Sequence, residues 1–348
     1  MRHVGAVIII FMISMSAISL GDSEPYNQMG YFSEGLVTAA WDKRQSGTII
    51  TRWVHIRPDG SRAYPHSYVW TKSFSEGAAA VGQRHGDGFQ FHIYPDGSRV
   101  YPHAYTWVGS FSEGLARVEQ DGYFHIHLNG TRAYPQSYDW VDSFSGGYAV
   151  VTQGKKKFHI RPDGSRLYPQ LYDKALPFSE GLAAVGQDGK GFHIRSDGSR
   201  AYPQSYDWVE SFSEGFAAVG QGDKMFHIRP DGTRAYPQEY ALVRRFSEGF
   251  AAVKRDGKKY LPYPDAFHIR PDGSPAYPQM YMDVRTFSEG LAAVTEGVTK
   301  MFHVRSDGSR AYPQSYDRVG NFSKGSALVV QDRKAFHILP NGTRIPQE

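Results

Sequence analysis

Nine histidines recur along the chain, at His55, His92, His125, His159, His193, His227, His268, His303 and His337. Imidazole is a ligand for zinc and copper, but such a centre needs three or four donors converging on one point. Only one His recurs per interval, with no second His, Cys or carboxylate at a fixed short offset, and His125 with His127 is the sole same-face pair. The absence of cysteine removes disulfides, thiolate metal sites, iron–sulfur clusters and a cysteine nucleophile. The histidines therefore read as a packing ring on the outward face of a strand, with no metal and no cofactor expected.

Acid–base or nucleophilic chemistry would call for residues peculiar to one place in the chain, and none stands out. Ser and Glu occur in a block Phe-Ser-Glu-Gly that starts, with variants, at Phe32, Phe74, Phe111, Phe144, Phe178, Phe212, Phe246, Phe287 and Phe322. A catalytic site does not need nine copies, so an enzyme is not expected. Glu34, Glu76, Glu113, Glu180, Glu214, Glu248 and Glu289 fill one column, with Gly146 and Lys324 as exceptions. Arg62, Arg99, Arg132, Arg166, Arg200, Arg234, Arg310 and Arg344 fill another, with Pro275 as the exception. The two columns predict an exposed Glu–Arg ladder worth ~0–1 kcal/mol per pair.

Tryptophan gives the clearest pointer to binding. Two residues after each unit-starting Tyr the column reads Gln28, Trp70, Trp107, Trp140, Lys174, Trp208, Leu242, Asp283 and Arg318. A buried apolar position would not accept Lys, Asp and Arg, so this column is predicted to face solvent. Its tryptophans, with Trp41 and Trp53 in an enlarged segment, are the candidate binding residues. They would serve as stacking platforms for sugars or anchors for a protein partner. The following column (Met29, Val108, Val141, Ala175, Val209, Val243, Val284, Val319) reads as buried.

What positions these residues is a repeat. Nine units follow from the markers, at 26–67, 68–104, 105–137, 138–171, 172–205, 206–239, 240–280, 281–315 and 316–348. The distance from Phe to His is 14 to 16 residues in six units but 23, 18 and 22 in the first, second and seventh. Enlarged loops are therefore expected at 40–53, 84–88 and 255–265, where repeat arrays often carry their binding face. In the unit 206–239, Tyr206, Val209 and Phe212 recur every third residue and predict an irregular or single-turn segment. Phe216 to Val219 reads as a strand, Phe226 to Arg229 as a half-buried strand of period two, residues 230–232 as a tight turn, and Arg234 to Tyr236 as the returning strand. Asn129 and Asn341 replace the turn Asp in sequences that match the glycosylation pattern, which makes that match uninformative.

Residues 1–21 differ from the rest. One Arg and one His precede an apolar run over 4–20, followed by polar residues from Gly21. This predicts a signal peptide cleaved after Gly21, with repeats over 22–348 and no membrane span after cleavage. The chain has 348 residues with Lys+Arg 39 against Asp+Glu 35, a net charge of +4 that falls to +3 without Arg2. So balanced a charge, with export, argues against nucleic acid. With 23 Tyr, 21 Phe and 6 Trp, there is ample apolar area for an ordered fold. An exported chain without cysteine fits a periplasmic, cell-surface or secreted bacterial protein.

The run from Tyr206 to Val219, the Gly191-Phe192-His193-Ile194 strand, the Asp-Gly turn and the Tyr-Pro stop resemble the WG β-repeat proteins of bacteria. Lys190 stands where the naming Trp is expected. The resemblance implies an exported or surface-associated array used for interaction, and no catalytic residue. The expected fold is an all-β array of nine antiparallel repeats, elongated or superhelical, the alternative being a closed propeller-like ring. Nine three-stranded units fit poorly with rings of four-stranded blades. The expected function is a non-enzymatic scaffold binding a protein partner through its aromatic-bearing face and long loops. A carbohydrate-binding envelope or extracellular protein is the alternative.

Overall fold

The computed structural model describes residue 26 and residues 28–45, 48–83, 90–255, 264–297 and 299–345, with the side chains of 28, 29, 31, 32, 44, 45 and 48 left out. The expected signal peptide, the loop at 84–88, most of the loop at 255–265 and the last three residues lie outside the described residues. Among the described residues the structure is all-β, and no helix is long and apolar enough to cross a membrane. The chain divides into two compact units, one built from residues up to Gly154 with Ile160–Ser165, the other from Lys155–His159 and from Arg166 onward.

Each sheet is one repeat. In the first unit the three-stranded antiparallel sheets are Gln28–Ser33 with Leu36–Gln45 and Thr48–Ile56, Trp70–Thr71 with Ala79–Gly82 and Gln90–Ile93, and Trp107–Ser112 with Leu115–Glu119 and Tyr123–His127. Trp140–Val141 then pairs with Ala149–Gln153. In the second unit five sheets follow the same pattern, with middle strands Ala183–Gln187, Ala217–Gln221, Ala251–Lys254, Ala292–Glu296 and Ala327–Gln331.

Two expectations about the unit need correction. The third strand is not the Arg-Ala-Tyr segment, of which only Arg234 bridges Ile228. It is the short Trp208–Val209, paired with Gly220 and Val219 ahead of the Glu-Gly turn. The enlarged segment at 40–53 is not a loop but the extension of a hairpin, paired from Val37↔Ile56 to Gln45↔Thr48, with Ile49 58% exposed near its end.

Small residues let both faces of the middle strand be covered. Ala217, Ala218 and Val219 are all buried, as are Phe226, His227 and Ile228 opposite them. Each buried Phe ring contributes on the order of 2–3 kcal/mol. Rings carry the packing from one repeat to the next: Tyr236 meets Tyr240 edge-on at 6.2 Å, and Tyr240 meets Phe267 at 5.9 Å. The Asp-Gly turns close the strands, with Asp231 Oδ1 accepting from the Thr233 backbone N–H at 2.9 Å. Gly232 there has φ +81°, and a Cβ on it would fall 2.6 Å from Cγ of Tyr202 in the preceding repeat. Left-handed backbone and contact with a neighbour both demand glycine at this position.

Candidate functional site

The histidines face inward, which corrects the outward-facing expectation. His227 is fully buried, with Nδ1 2.5 Å from the Tyr236 hydroxyl and Nε2 3.0 Å from the backbone carbonyl of Arg244 in the next repeat. The same pair of partners, nine and seventeen residues on, serves His55, His92, His125, His193, His268 and His303. A carbonyl only accepts, so Nε2 carries the proton, and the neutral ring accepts the tyrosine O–H at Nδ1. Burial lowers the pKa of each of these seven rings to about 4, although the carbonyl bond pulls the other way. Burial also raises the partner tyrosines above their usual range. Both ring nitrogens being engaged, the histidine column latches one repeat to the next. His337 is only half-buried, with Nδ1 3.3 Å from Ser326 Oγ.

Ser and Glu of the repeated block also bond to the neighbouring backbone. Ser213 Oγ donates to the Phe246 carbonyl at 2.9 Å, and the Glu214 carboxylate accepts the N–H groups of Glu248 and Gly249 at 2.6 and 2.8 Å. Glu76, Glu113, Glu248 and Glu289 do the same for the turn that follows each of them. The expected Glu–Arg ladder is not what this column forms. Because the receiving turn contributes only backbone N–H groups, Gly146 and Lys324 donate to the preceding carboxylate as well as Glu does. The arginines lie over phenylalanine rings instead: Arg200 over Phe192 at 3.8 Å, Arg234 over Phe226 at 4.0 Å and Arg310 over Phe302 at 3.6 Å. Where Pro275 replaces the arginine, Arg255 covers Phe267 at 4.9 Å.

The tryptophans occupy several settings. In the first unit Trp70 is half-buried with its indole against Gly82, a site that a larger residue would close. Trp107 is half-buried, with the Arg117 guanidinium 4.3 Å and the Lys72 ammonium 4.7 Å from its ring centre. Trp140 is 39% exposed, 4.3 Å from the same Arg117 and 4.9 Å from Tyr123, and its Nε1 donates to Asp142 at 2.8 Å. Arg117, which stands where the first repeat carries Thr38 and the others Ala or another apolar residue, thus links two of the candidate residues. Burial lowers its pKa, and its Nε finds no hydrogen-bond partner. Trp107 is therefore a ring already engaged by cations, not an open platform. Trp41 meets Tyr26 edge-on at 5.9 Å with Arg62 4.6 Å away, and Trp53 is half-buried with its backbone paired to Tyr68.

In the second unit Trp208 is 38% exposed beside Gly220, whose missing side chain leaves room at 3.6 Å. It lines a groove of about 230 Å³ with Lys174, Leu176, Lys190 and Asp207. The Lys190–Asp207 ion pair at 2.5 Å borders it. Lys174, Leu242, Asp283 and Arg318 of the same column are exposed.

One set of residues escaped the sequence reading. A cavity of about 640 Å³ in the second unit is lined by Leu176, Glu210, Ser211, Arg244, Arg245, Arg285, Thr286 and Asn321, with neighbouring residues of the same repeats. These fill the two columns just before each Phe of the repeated block, where the sequence reads Leu-Pro, Glu-Ser, Arg-Arg, Arg-Thr and Gly-Asn. Strong variation inside a faithful repeat was the available signal. Burial raises the Glu210 pKa, against the pull of Arg245 and Arg244.

No curated protein matches the chain. Among solved structures, Sqt1 from Chaetomium thermophilum bound to the N-terminus of ribosomal protein L10 is 11% identical, covering 79% of this chain and 92% of that one with a TM-score of 0.33. Sqt1 from the same organism without that partner is 10% identical, covers 79% and 91%, and has a TM-score of 0.32. A likeness this weak carries no weight. The model of the WG containing repeat matches residues 95–124, 135–156, 167–190, 204–224 and 236–258. The chain thus carries the WG containing repeat, matched over five segments of its array.

Proposed function

We propose that the chain is a non-enzymatic repeat scaffold, exported from a bacterial cell, that holds a protein partner through side chains displayed on the repeat frame. One observation carries this reading. The polar residues common to the repeats direct their bonds at neighbouring backbone and rings, while one column is exposed at Trp140, Lys174, Trp208, Leu242, Asp283 and Arg318, where it carries aromatic, aliphatic, basic and acidic side chains. A surface built that way is suited to a particular partner, with exposed aromatic and charged residues supplying the anchors. The apolar run over 4–20 and the absence of cysteine support export.

The Trp208 groove favours glycan binding as a second reading, since an exposed indole flanked by ion-paired side chains can stack on a sugar face. Tryptophan fluorescence titrated with peptidoglycan fragments and oligosaccharides separates the two. The protein-binding reading expects no saturable change with any glycan, and a discrete protein adduct from a photo-crosslinker placed at Leu242 or Asp283. Saturable quenching that Trp208→Ala or Trp140→Ala abolishes would replace it with the glycan reading.

A further inference from the structure

The cavity ahead of the Phe-Ser-Glu-Gly turns differs from the rest of the second unit in charge and in construction. Three arginines, Arg244, Arg245 and Arg285, and one carboxylate, Glu210, line a space of about 640 Å³. Three positive charges against one negative leave a formal excess of two. The volume lies within the roughly 300–1,000 Å³ typical of small-ligand sites. Guanidinium groups present paired N–H donors that match the geometry of carboxylate and phosphate oxygens.

The backbone beneath these side chains is fixed. The carbonyls of Glu210, Arg244 and Arg285 accept the Nε2 protons of His193, His227 and His268 at 2.7, 3.0 and 2.7 Å. Arg285 also donates from Nη1 to the Val319 carbonyl at 3.1 Å, tying it to the following repeat. A cluster of like charges gains nothing for the fold by itself, because cations brought together repel. Other repeats need no arginine here: Leu176, Lys72, Gly109 and Gly320 hold the equivalent place in them.

We propose that this cavity binds a small polyanion, a ligand with at least two oxyanion charges carried on phosphate or carboxylate groups, gripped by Arg244, Arg245 and Arg285. Glu210 lines the same space and sets the charge the ligand must have, repelling anions too weakly charged to engage all three guanidinium groups. None of the tryptophans takes part, so this site stands or falls independently of the partner surface.

Calorimetric titration of the full chain at low ionic strength, with pyrophosphate and with citrate as probes, tests it. Saturable binding of one molecule per chain is expected for at least one probe. Preference for pyrophosphate assigns a phosphate-bearing ligand, and preference for citrate a polycarboxylate. The Arg244→Gln/Arg245→Gln double variant and Arg285→Gln are expected to weaken binding by roughly tenfold or more. The exposed control Lys224→Gln is expected to leave it unchanged. Glu210→Gln, which removes the repelling charge, is expected to tighten binding, a gain that no folding defect can imitate. Absence of saturable binding to both probes, or binding indifferent to the arginine substitutions, overturns the proposal.

Discussion

Acidifying the protein from pH 7 to pH 4 is expected to unfold it in a steep transition lying between those values. Seven latch histidines have a folded pKa of about 4 against 6.5 when exposed. Between those values the unfolded chain holds protons that the folded chain refuses. Their stabilisation is fully present above 6.5 and is lost as pH falls toward 4. A displacement of that size corresponds to about 3 kcal/mol for each ring. Protonating any one of them leaves a buried cation whose Nδ1–H has to displace the tyrosine proton. Asp59, Asp96, Asp163, Asp197, Asp231, Asp272 and Asp307, held below their usual range by Ser or Thr in the turns, act in a lower window.

The alkaline side has the opposite sign. The latch tyrosines are raised above 10, so the folded chain retains protons that the unfolded chain gives up, and stability falls as pH rises past 10. A stability plateau between about pH 6.5 and 10, with both edges set by the same His–Tyr pairs, is the expected profile of urea unfolding followed by near-ultraviolet circular dichroism. A midpoint unchanged down to pH 4 would be incompatible with the latch.

Gly232→Ala is expected to be the most damaging of the small substitutions. The new Cβ would sit 2.6 Å from Tyr202 Cγ and 2.9 Å from Gln204 Oε1, at φ +81°. Left-handed strain contributes roughly 1–2 kcal/mol, and forcing the neighbouring repeat apart roughly 1–3 kcal/mol more. Gly215→Ala isolates the first effect, because Gly215 has φ +80° with no heavy atom within 4 Å of the added carbon. Equilibrium unfolding of both variants is expected to show Gly232→Ala losing at least twice as much stability. Equal losses would mean that the turn does not bear on the Tyr of the preceding repeat.

Much of the frame was legible in the sequence. Alternating Phe-His-Ile, the Asp-Gly turns and the period of the markers gave all-β repeated units. What stayed hidden depended on backbone partners. A His between Phe and Ile reads as outward by alternation, yet it is buried, because one partner is a tyrosine nine residues on and the other a carbonyl seventeen residues on. Glu214 was expected to pair with an arginine, but its partners are N–H groups, which every residue type except proline supplies. A two-residue strand such as Trp208–Val209 is too short to show a period. The exposure of Trp140, Trp208 and the charged residues of their column was readable from its tolerance of charge, whereas the half-burial of Trp70 and Trp107 was not, nor was Arg117 beside Trp107 and Trp140, since its column is apolar in every other repeat after the first. The arginine cavity draws on residues from several repeats, which only the folded chain brings together.

Repeats are fastened through neutral, buried imidazoles, which leaves other columns free to vary. Nitrogen NMR of the histidine rings, recorded as the pH is lowered from 7, tests it most directly. His193, His227, His268 and their counterparts are expected to carry the proton on Nε2, with Nδ1 bare, and to hold that state until the protein unfolds. Rings that titrate reversibly near 6.5 while the sheets remain intact would contradict it.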